Sequence, residues 1–201
     1  MARAADRRRY LSTRGALRRI LAGYLRVTPS SIEISYSESG KPSLADVSAP
    51  TEKIHFSVSH SADAAIVAVC PGRRVGVDME RVRPLRGRDD VLSDFFSRAE
   101  RDWVHSHGDG GEDDAFFQAW TRREASSKAV GARLIESFLR FSVPAAPYSP
   151  GGFRLALAEP GARSAEPQEW WIRDFVPAAG HAGALCTEKE NLVPAFWLFA
   201  W

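Results

Sequence analysis

The chain has 201 residues, 44% hydrophobic and 26% charged, enough for one sizeable domain or two small halves sharing a core. No apolar run approaches the roughly 18 residues of a membrane helix, and the opening MARAADRRRY lacks the apolar stretch of a secretory signal, which argues for the cytoplasm. Net charge is only +2, but residues 1–26 carry eight arginines against one acid, Asp6. Such a cluster suits a polyanion (nucleic acid, a phosphorylated cofactor or an acidic protein), or it is simply a solvated helix face.

Residues 6–26 read as a helix. Leu11, Leu17, Ile20, Leu21, Tyr24 and Leu25 form its core-facing stripe, and Thr28-Pro29 ends it. Ile32–Tyr36 alternates as a short strand, and Ser39-Gly40-Lys41-Pro42 is a turn leading into an extended segment. Ile54–Ser59 alternates as a second strand, and Ala64–Cys70 is a short apolar run expected to be a buried strand. The turn Pro71-Gly72-Arg73-Arg74 then leads into Val75–Glu80, so a hairpin between Ala64–Cys70 and Val75–Met79 is expected.

Arg81–Asp90 reads as a polar link. Ser97-x-x-Glu100 is a capping box opening a helix through Trp103 and Val104. His105–Asp114 is Gly-rich and acidic; no regular element fixes His105, His107, Asp109 and Asp113 as metal ligands, and a mobile loop is expected. Ala115–Val130 is the strongest helix, closed by Gly131. Short strands follow at Phe153–Leu157, Trp170–Phe175, Ala182–Thr187 and Ala195–Trp201, which reads as an antiparallel sheet in an α+β fold. Cys70 and Cys186 stand far apart in no ligand motif and are expected to be reduced thiols.

The chemistry concentrates in Val75-Gly76-Val77-Asp78-Met79-Glu80. Period-2 alternation predicts a half-buried strand, with Asp78 and Glu80 on one face about 6.6 Å apart. Four carboxylate-x-carboxylate pairs occur in the chain where chance supplies about three, so the spacing alone is not specific. Only Asp78/Glu80 sits in an alternating apolar frame. Two like charges held that close call for a cation, and a divalent metal with phosphate ligands is the natural candidate. In the strongest helix, Trp120, Glu124 and Lys128 fall at i, i+4 and i+8, one stripe with about 6 Å between neighbours. Glu124 would give a third carboxylate for a hard cation such as Mg²⁺.

Taken together, the motifs resemble those of the larger, Sfp-type, monomeric 4′-phosphopantetheinyl transferases. They are Gly40-Lys41-Pro42, Phe56-Ser57-Val58-Ser59-His60-Ser61, Val75–Glu80, Phe95-Phe96-Ser97-x-x-Glu100 and Trp120-Thr121-x-Arg123-Glu124-Ala125-x-x-Lys128. The opening Arg9-Tyr10-Leu11-x-x-Arg14-x-x-Leu17-Arg18 also fits, and the likeness runs through residues 7–145 and more weakly to the end.

The resemblance implies transfer of the 4′-phosphopantetheine arm of coenzyme A to a serine of an acyl or peptidyl carrier protein, releasing 3′,5′-ADP. It implies two similar α/β halves about a pseudo-two-fold axis, residues 1–72 and 73–201, with coenzyme A in the cleft between them. Asp78, Glu80 and Glu124 would bind Mg²⁺ (or Mn²⁺), Glu124 or a water it positions would take the serine proton, and Lys128 would contact the diphosphate. Ser59, His60, Arg123 and Arg14 would serve coenzyme A phosphates, and Lys41 and Pro42 its adenine end. An acidic carrier would meet the arginine-rich first helix.

Two departures stand out. The family pattern has Lys where this chain has Arg123, a planar fork in place of a point ammonium. The resemblance also implies a further segment, including a strand, ahead of the region around Asp6. A family member that binds coenzyme A or a carrier without transfer is the alternative. A basic nucleic-acid binder is disfavoured, because no recognised binding motif accompanies the arginines.

Overall fold

The computed structural model describes residues 2–45, 52–133, 141–149, 151–157, 168–188 and 192–197. The fold is α+β. Helix α1 (Ala2–Leu25) buries Leu17, Leu21 and Ala22 against Ile32, Ile54 and Phe56. Tyr24, expected on the core stripe, is half exposed at the helix end. Arg26 takes the left-handed conformation (φ 55°) just past the last turn, and the Val27 N–H closes onto the Ala22 carbonyl. The helix thus stops before Thr28-Pro29, and Pro29 opens a separate 3₁₀ turn, Pro29–Ser31.

Strands β1 (Ile34–Tyr36) and β2 (Pro42–Leu44) form a small antiparallel pair. Strands β3 (Ile54–Ser61) and β4 (Ala64–Pro71) form a second, in register from Ile54↔Pro71 to Ser61↔Ala64. The main sheet holds β5 (Val75–Arg81), β6 (Phe153–Leu157), β7 (Gln168–Phe175) and β8 (His181–Glu188) in the order β5-β8-β7-β6, all antiparallel.

The hairpin expected between Ala64–Cys70 and Val75–Met79 does not form. Strand β4 is already paired along its whole length with β3, and β5 gives one edge to β8. On its other edge β5 meets β3 through side chains. The Val77, Met79 and Arg81 N–H groups donate to the hydroxyls of Ser57 (3.0 Å), Ser59 (3.3 Å) and Ser61 (3.0 Å). Serine hydroxyls therefore replace a backbone ladder where the two sheets meet, and β5 keeps its buried N–H groups satisfied.

Helices α2 (Arg88–Phe95), α3 (Arg98–His105) and α4 (Glu112–Val130) follow β5. The expected polar link ends at Arg88, where α2 begins. Arg88 ties that start to α4 by ion pairs with Glu112 and Asp113. Ser97 and Glu100 form the predicted capping box at α3. The stretch read as a mobile loop is shorter than expected, because Glu112, Asp113 and Asp114 form the first turn of α4, where the helix dipole favours acids. His107 is engaged by the Trp103 carbonyl and His105 by Glu112, and no metal-ligand cluster occurs among the described residues. Gly131 closes α4 in the left-handed conformation, as expected.

The helix α4 packs along β5 and β8 so closely that a Cβ at Gly76 would lie 2.0 Å from the Ala125 carbonyl oxygen. Gly76 is the residue that allows this approach. The strand β5 is consequently buried on both faces, not half-buried as its alternation suggests. Val75 and Val77 face a core with Cys70, Phe175 and Leu185, and Gly76 and Asp78 face α4. Ala125 and Ala129 of α4 join Leu157, Trp170, Ile172, Ala184 and Cys186 in another core layer. The strand expected at Ala195–Trp201 is not found over 192–197, and its remaining residues lie outside the described ones. No helix among the described residues is long and apolar enough to cross a membrane.

Candidate active site

Strand β5 and helix α4 build the site between them. The pleat aims Asp78 at α4, and the 3.6-residue repeat brings Glu124 and Lys128 to the facing stripe. The Lys128 ammonium donates to Asp78 Oδ1 at 2.6 Å and lies 3.4 Å from Glu124 Oε2. The Ser59 hydroxyl donates to the same Asp78 Oδ1 at 2.7 Å. Asp78 Oδ2 is buried and has no hydrogen-bond partner. Upstream on the stripe, Trp120 stacks on Phe116 and Phe96, so Glu124 and Lys128 sit at the rim of a buried face rather than in bulk water.

Burial dominates the electrostatics. It pushes the Asp78 carboxyl up to about 7, against the opposing pull of Lys128, and the nearby Glu124 charge adds to the rise. For Lys128, desolvation pulls downward, but Asp78 and Glu124 together hold the ammonium above the ordinary lysine value.

Glu80 stands two residues along the same strand, and its carboxylate accepts the Ser61 hydroxyl at 2.6 Å. Arg83 reaches the same oxygen at 3.7 Å. The three acids expected to surround one cation therefore do not form a ready-made cage: Asp78 and Glu124 flank an ammonium, and Glu80 is held by Ser61 and Arg83. Among the described residues no three acidic, His or Cys side chains gather closely enough to hold a metal on their own. The donor chemistry still fits a hard divalent cation. Mg²⁺ commonly takes one or two protein carboxylates and fills the remaining positions with water and substrate phosphate. The orphaned Asp78 oxygen is a buried acceptor that such a cation would satisfy.

The structure assigns Arg123 elsewhere. It is fully buried, its Nε and Nη2 forked onto the Glu100 carboxylate (Nε to Oε1, 2.9 Å), its Nη1 on the Phe141 carbonyl and its plane over Phe96. A phosphate cannot reach it there. The neighbouring Arg122 is locked in the same manner onto Asp174 (Nε to Oδ1, 2.8 Å) and onto the Pro144 and Ala146 carbonyls. These two consecutive arginines anchor α4. Because Glu100 also accepts from the Ser97 N–H and the Val143 N–H, the capping box and the Arg123 pair share one carboxylate.

The other expected ligand-binding residues come from the N-terminal elements. The Lys41 ammonium caps the end of α4, donating to the Ala129 carbonyl at 2.8 Å, one residue past Lys128. Burial, then the Arg74 charge, lowers Lys41 to about 8. Pro42 opens β2, His60 is exposed on β3 between Ser59 and Ser61, and the Arg14 guanidinium lies 5.1 Å over the Tyr36 ring. Ser59 is thus the one of these that enters the carboxylate cluster, through Asp78 and not through an exposed hydroxyl. The contacts of Ser57 and Ser61 with β5, of Glu100 with Arg123 and of Asp174 with Arg122 go beyond the sequence reading. The alternation Ser57-x-Ser59-x-Ser61 was the available sign for the serines, whereas nothing local announces the Arg122–Asp174 pairing, 52 residues apart.

Comparison with known proteins identifies the family. Residues 1–72 match the 4′-phosphopantetheinyl transferase N-terminal family and residues 74–186 match the 4′-phosphopantetheinyl transferase superfamily. The chain is 31% identical over 191 residues to 4′-phosphopantetheinyl transferase HetI of a Nostoc strain, covering 95% of this chain and 75% of the relative. It is 30% identical over 115 residues to 4′-phosphopantetheinyl transferase gsp of Aneurinibacillus migulanus (57% and 45% of the two chains). It is 29% identical over 139 residues to the human L-aminoadipate-semialdehyde dehydrogenase-phosphopantetheinyl transferase (65% and 45%). Apart from HetI, its matches to these relatives span about half of their length. With a superfamily match over more than half its length and a near full-length relative, the chain belongs to the 4′-phosphopantetheinyl transferase superfamily.

Proposed function

We propose that this chain moves the 4′-phosphopantetheine arm of coenzyme A onto a serine hydroxyl of an acyl or peptidyl carrier protein, releasing 3′,5′-ADP. The observation that carries the reading is the meeting of Asp78, Glu124 and Lys128 where α4 crosses β5. In the reaction the serine oxygen forms a bond to phosphorus, the P–O bond to the departing 3′,5′-ADP breaks, and the serine proton goes to a base. Glu124, at the rim of the site, takes that proton directly or through a water. Lys128 turns from Asp78 to the diphosphate and neutralises charge on the leaving oxygens. Such positioning and neutralisation supply most of the acceleration in phosphoryl transfer.

Asp78, Glu124 and Glu80 are the residues that would hold Mg²⁺ or Mn²⁺, and that ion, when bound, supplies further positive charge to the diphosphate. Ser59 keeps Asp78 oriented. Lys41, Pro42, His60 and Arg14 line the route by which the adenosine end approaches from the N-terminal half. The meeting of β3 and β5 across the serines supports a division into halves at residues 1–72 and 73–201, with coenzyme A between them. Arg123 is left out of this assignment. The same reading makes the chain a cytoplasmic monomer acting on an acidic carrier, which the arginine-rich first helix would meet.

The test is incubation of the purified chain with coenzyme A, Mg²⁺ and an apo carrier protein, followed by intact mass measurement. The expected result is a carrier heavier by one phosphopantetheine arm. Tight coenzyme A binding with no mass gain would identify a non-transferring binder instead.

A further inference from the structure

The serines that join β3 to β5 do not all do the same work. The three lie at a constant offset of 20 residues from the N–H groups they accept: Ser57 from Val77, Ser59 from Met79 and Ser61 from Arg81. A serine hydroxyl has one proton and two lone pairs. With a lone pair taken by the β5 N–H, the proton is free to point at the side chain one residue back on β5. For Ser59 that side chain is Asp78, at 2.7 Å, and for Ser61 it is Glu80, at 2.6 Å. For Ser57 it is Gly76, which has none. The backbone of β5 thus orients each hydroxyl, and two of the three hydroxyls orient a carboxylate.

We propose that Ser61 is a positioning residue: held by the Arg81 N–H, its hydroxyl fixes the Glu80 carboxylate on the side of β5 where Asp78 and Glu124 would take a divalent cation. The inference rests on the transferase reading above and adds to it a residue that touches neither substrate nor cation. Ser61 is buried, so its proton has little water to turn to. Glu80 is only partly buried and would otherwise swing among several rotamers, toward Arg83 among others. Groups that hold a metal-binding carboxylate in place typically govern affinity by 10- to 100-fold. Ser57 is the built-in control. It makes the same N–H contact at the same 3.0 Å as Ser61, with no carboxylate to orient.

Mn²⁺ is titrated into the protein with coenzyme A present, and free Mn²⁺ is followed by electron paramagnetic resonance; thermal unfolding is recorded alongside. Ser61→Ala should weaken Mn²⁺ binding by about tenfold. Ser61→Thr, which keeps the hydroxyl, should restore it. Ser57→Ala should lower thermal stability about as much as Ser61→Ala does and leave Mn²⁺ affinity unchanged. If Ser61→Ala does not fold, Ser61→Cys, similar in shape and a poor donor, takes its place. Wild-type affinity in the donor-less variant, or equal weakening by Ser57→Ala, overturns the inference and leaves the transferase reading standing. No Mn²⁺ binding by the wild-type protein overturns both.

Discussion

Lys128 Nζ lies 2.6 Å from Asp78 Oδ1, a contact between residues 50 apart in sequence. In it helix α4 places its cation against an acid of strand β5 that has one oxygen satisfied and the other bare. On the proposed reading, the pair would hold positive charge beside the reacting diphosphate, and the bare oxygen would be the one to meet a cation.

Variants at Lys128 and Glu124 should separate the structural role from the catalytic one. Lys128→Met leaves Asp78 buried without its ammonium. Breaking a fully buried pair costs about 3–5 kcal/mol; with the Lys128 side chain 30% exposed, about 1–3 kcal/mol is expected at pH 7. Glu124→Gln should leave the fold intact, because Glu124 lies at the rim, yet lower transfer by about 10²-fold or more. Circular dichroism and the carrier mass assay separate the two effects. Near wild-type turnover in Glu124→Gln would remove Glu124 as the base.

The raised Asp78 carboxyl has a defined pH signature. Its native value of about 7 exceeds the ordinary 3.8, so between those limits the native state binds more protons than the unfolded chain. Stability therefore falls as pH rises from about 4 to about 7, at up to about 1.4 kcal/mol per pH unit from this group, and is level above that. Denaturant unfolding of the metal-free protein at pH 5, 6, 7 and 8 should show the slope, and Asp78→Asn should flatten it. An equal slope in that variant would show that other groups produce it.

Arg123 separates a structural cation from a ligand-binding one. Arg123→Ala strands Glu100 and should cost about 3–5 kcal/mol. Arg123→Lys restores the residue usual in the family at this position but loses the fork, and should cost about 1–3 kcal/mol. In the folded fraction of either variant the KM for coenzyme A should stay within about twofold of wild type, as expected of a side chain 1% exposed. A KM raised tenfold or more would return Arg123 to the phosphate site.

Gly76→Ala tests the close approach of α4 to β5. The new methyl meets the Ala125 carbonyl and the Ala129 N–H, both backbone, so the helix itself must shift. A loss of about 3 kcal/mol or more is expected, at the upper end of overpacking costs. Transfer should fall further than stability alone requires, since Lys128 and Glu124 ride on that helix. Unfolding midpoints and turnover at a temperature where the variant is fully folded check this.

The sequence by itself determined most of the local elements here and named the acids and the lysine of the candidate site. Alternation marks β3 and β5, Ser97-x-x-Glu100 marks the start of α3, and Gly131 the end of α4, because pleat, caps and left-handed turns are properties of a few neighbouring residues. The i, i+4 spacing likewise puts Glu124 and Lys128 on one stripe without reference to the rest of the chain. Only the tertiary structure decided which edge β5 offers to β8, that serine hydroxyls bind its other edge, and that Arg123 faces Glu100 instead of a phosphate. Each of these depends on groups 20 or more residues apart competing for the same partner in the absence of water. The winner is set by which arrangement leaves the fewest buried charges and N–H groups unpaired, a condition that no local pattern expresses.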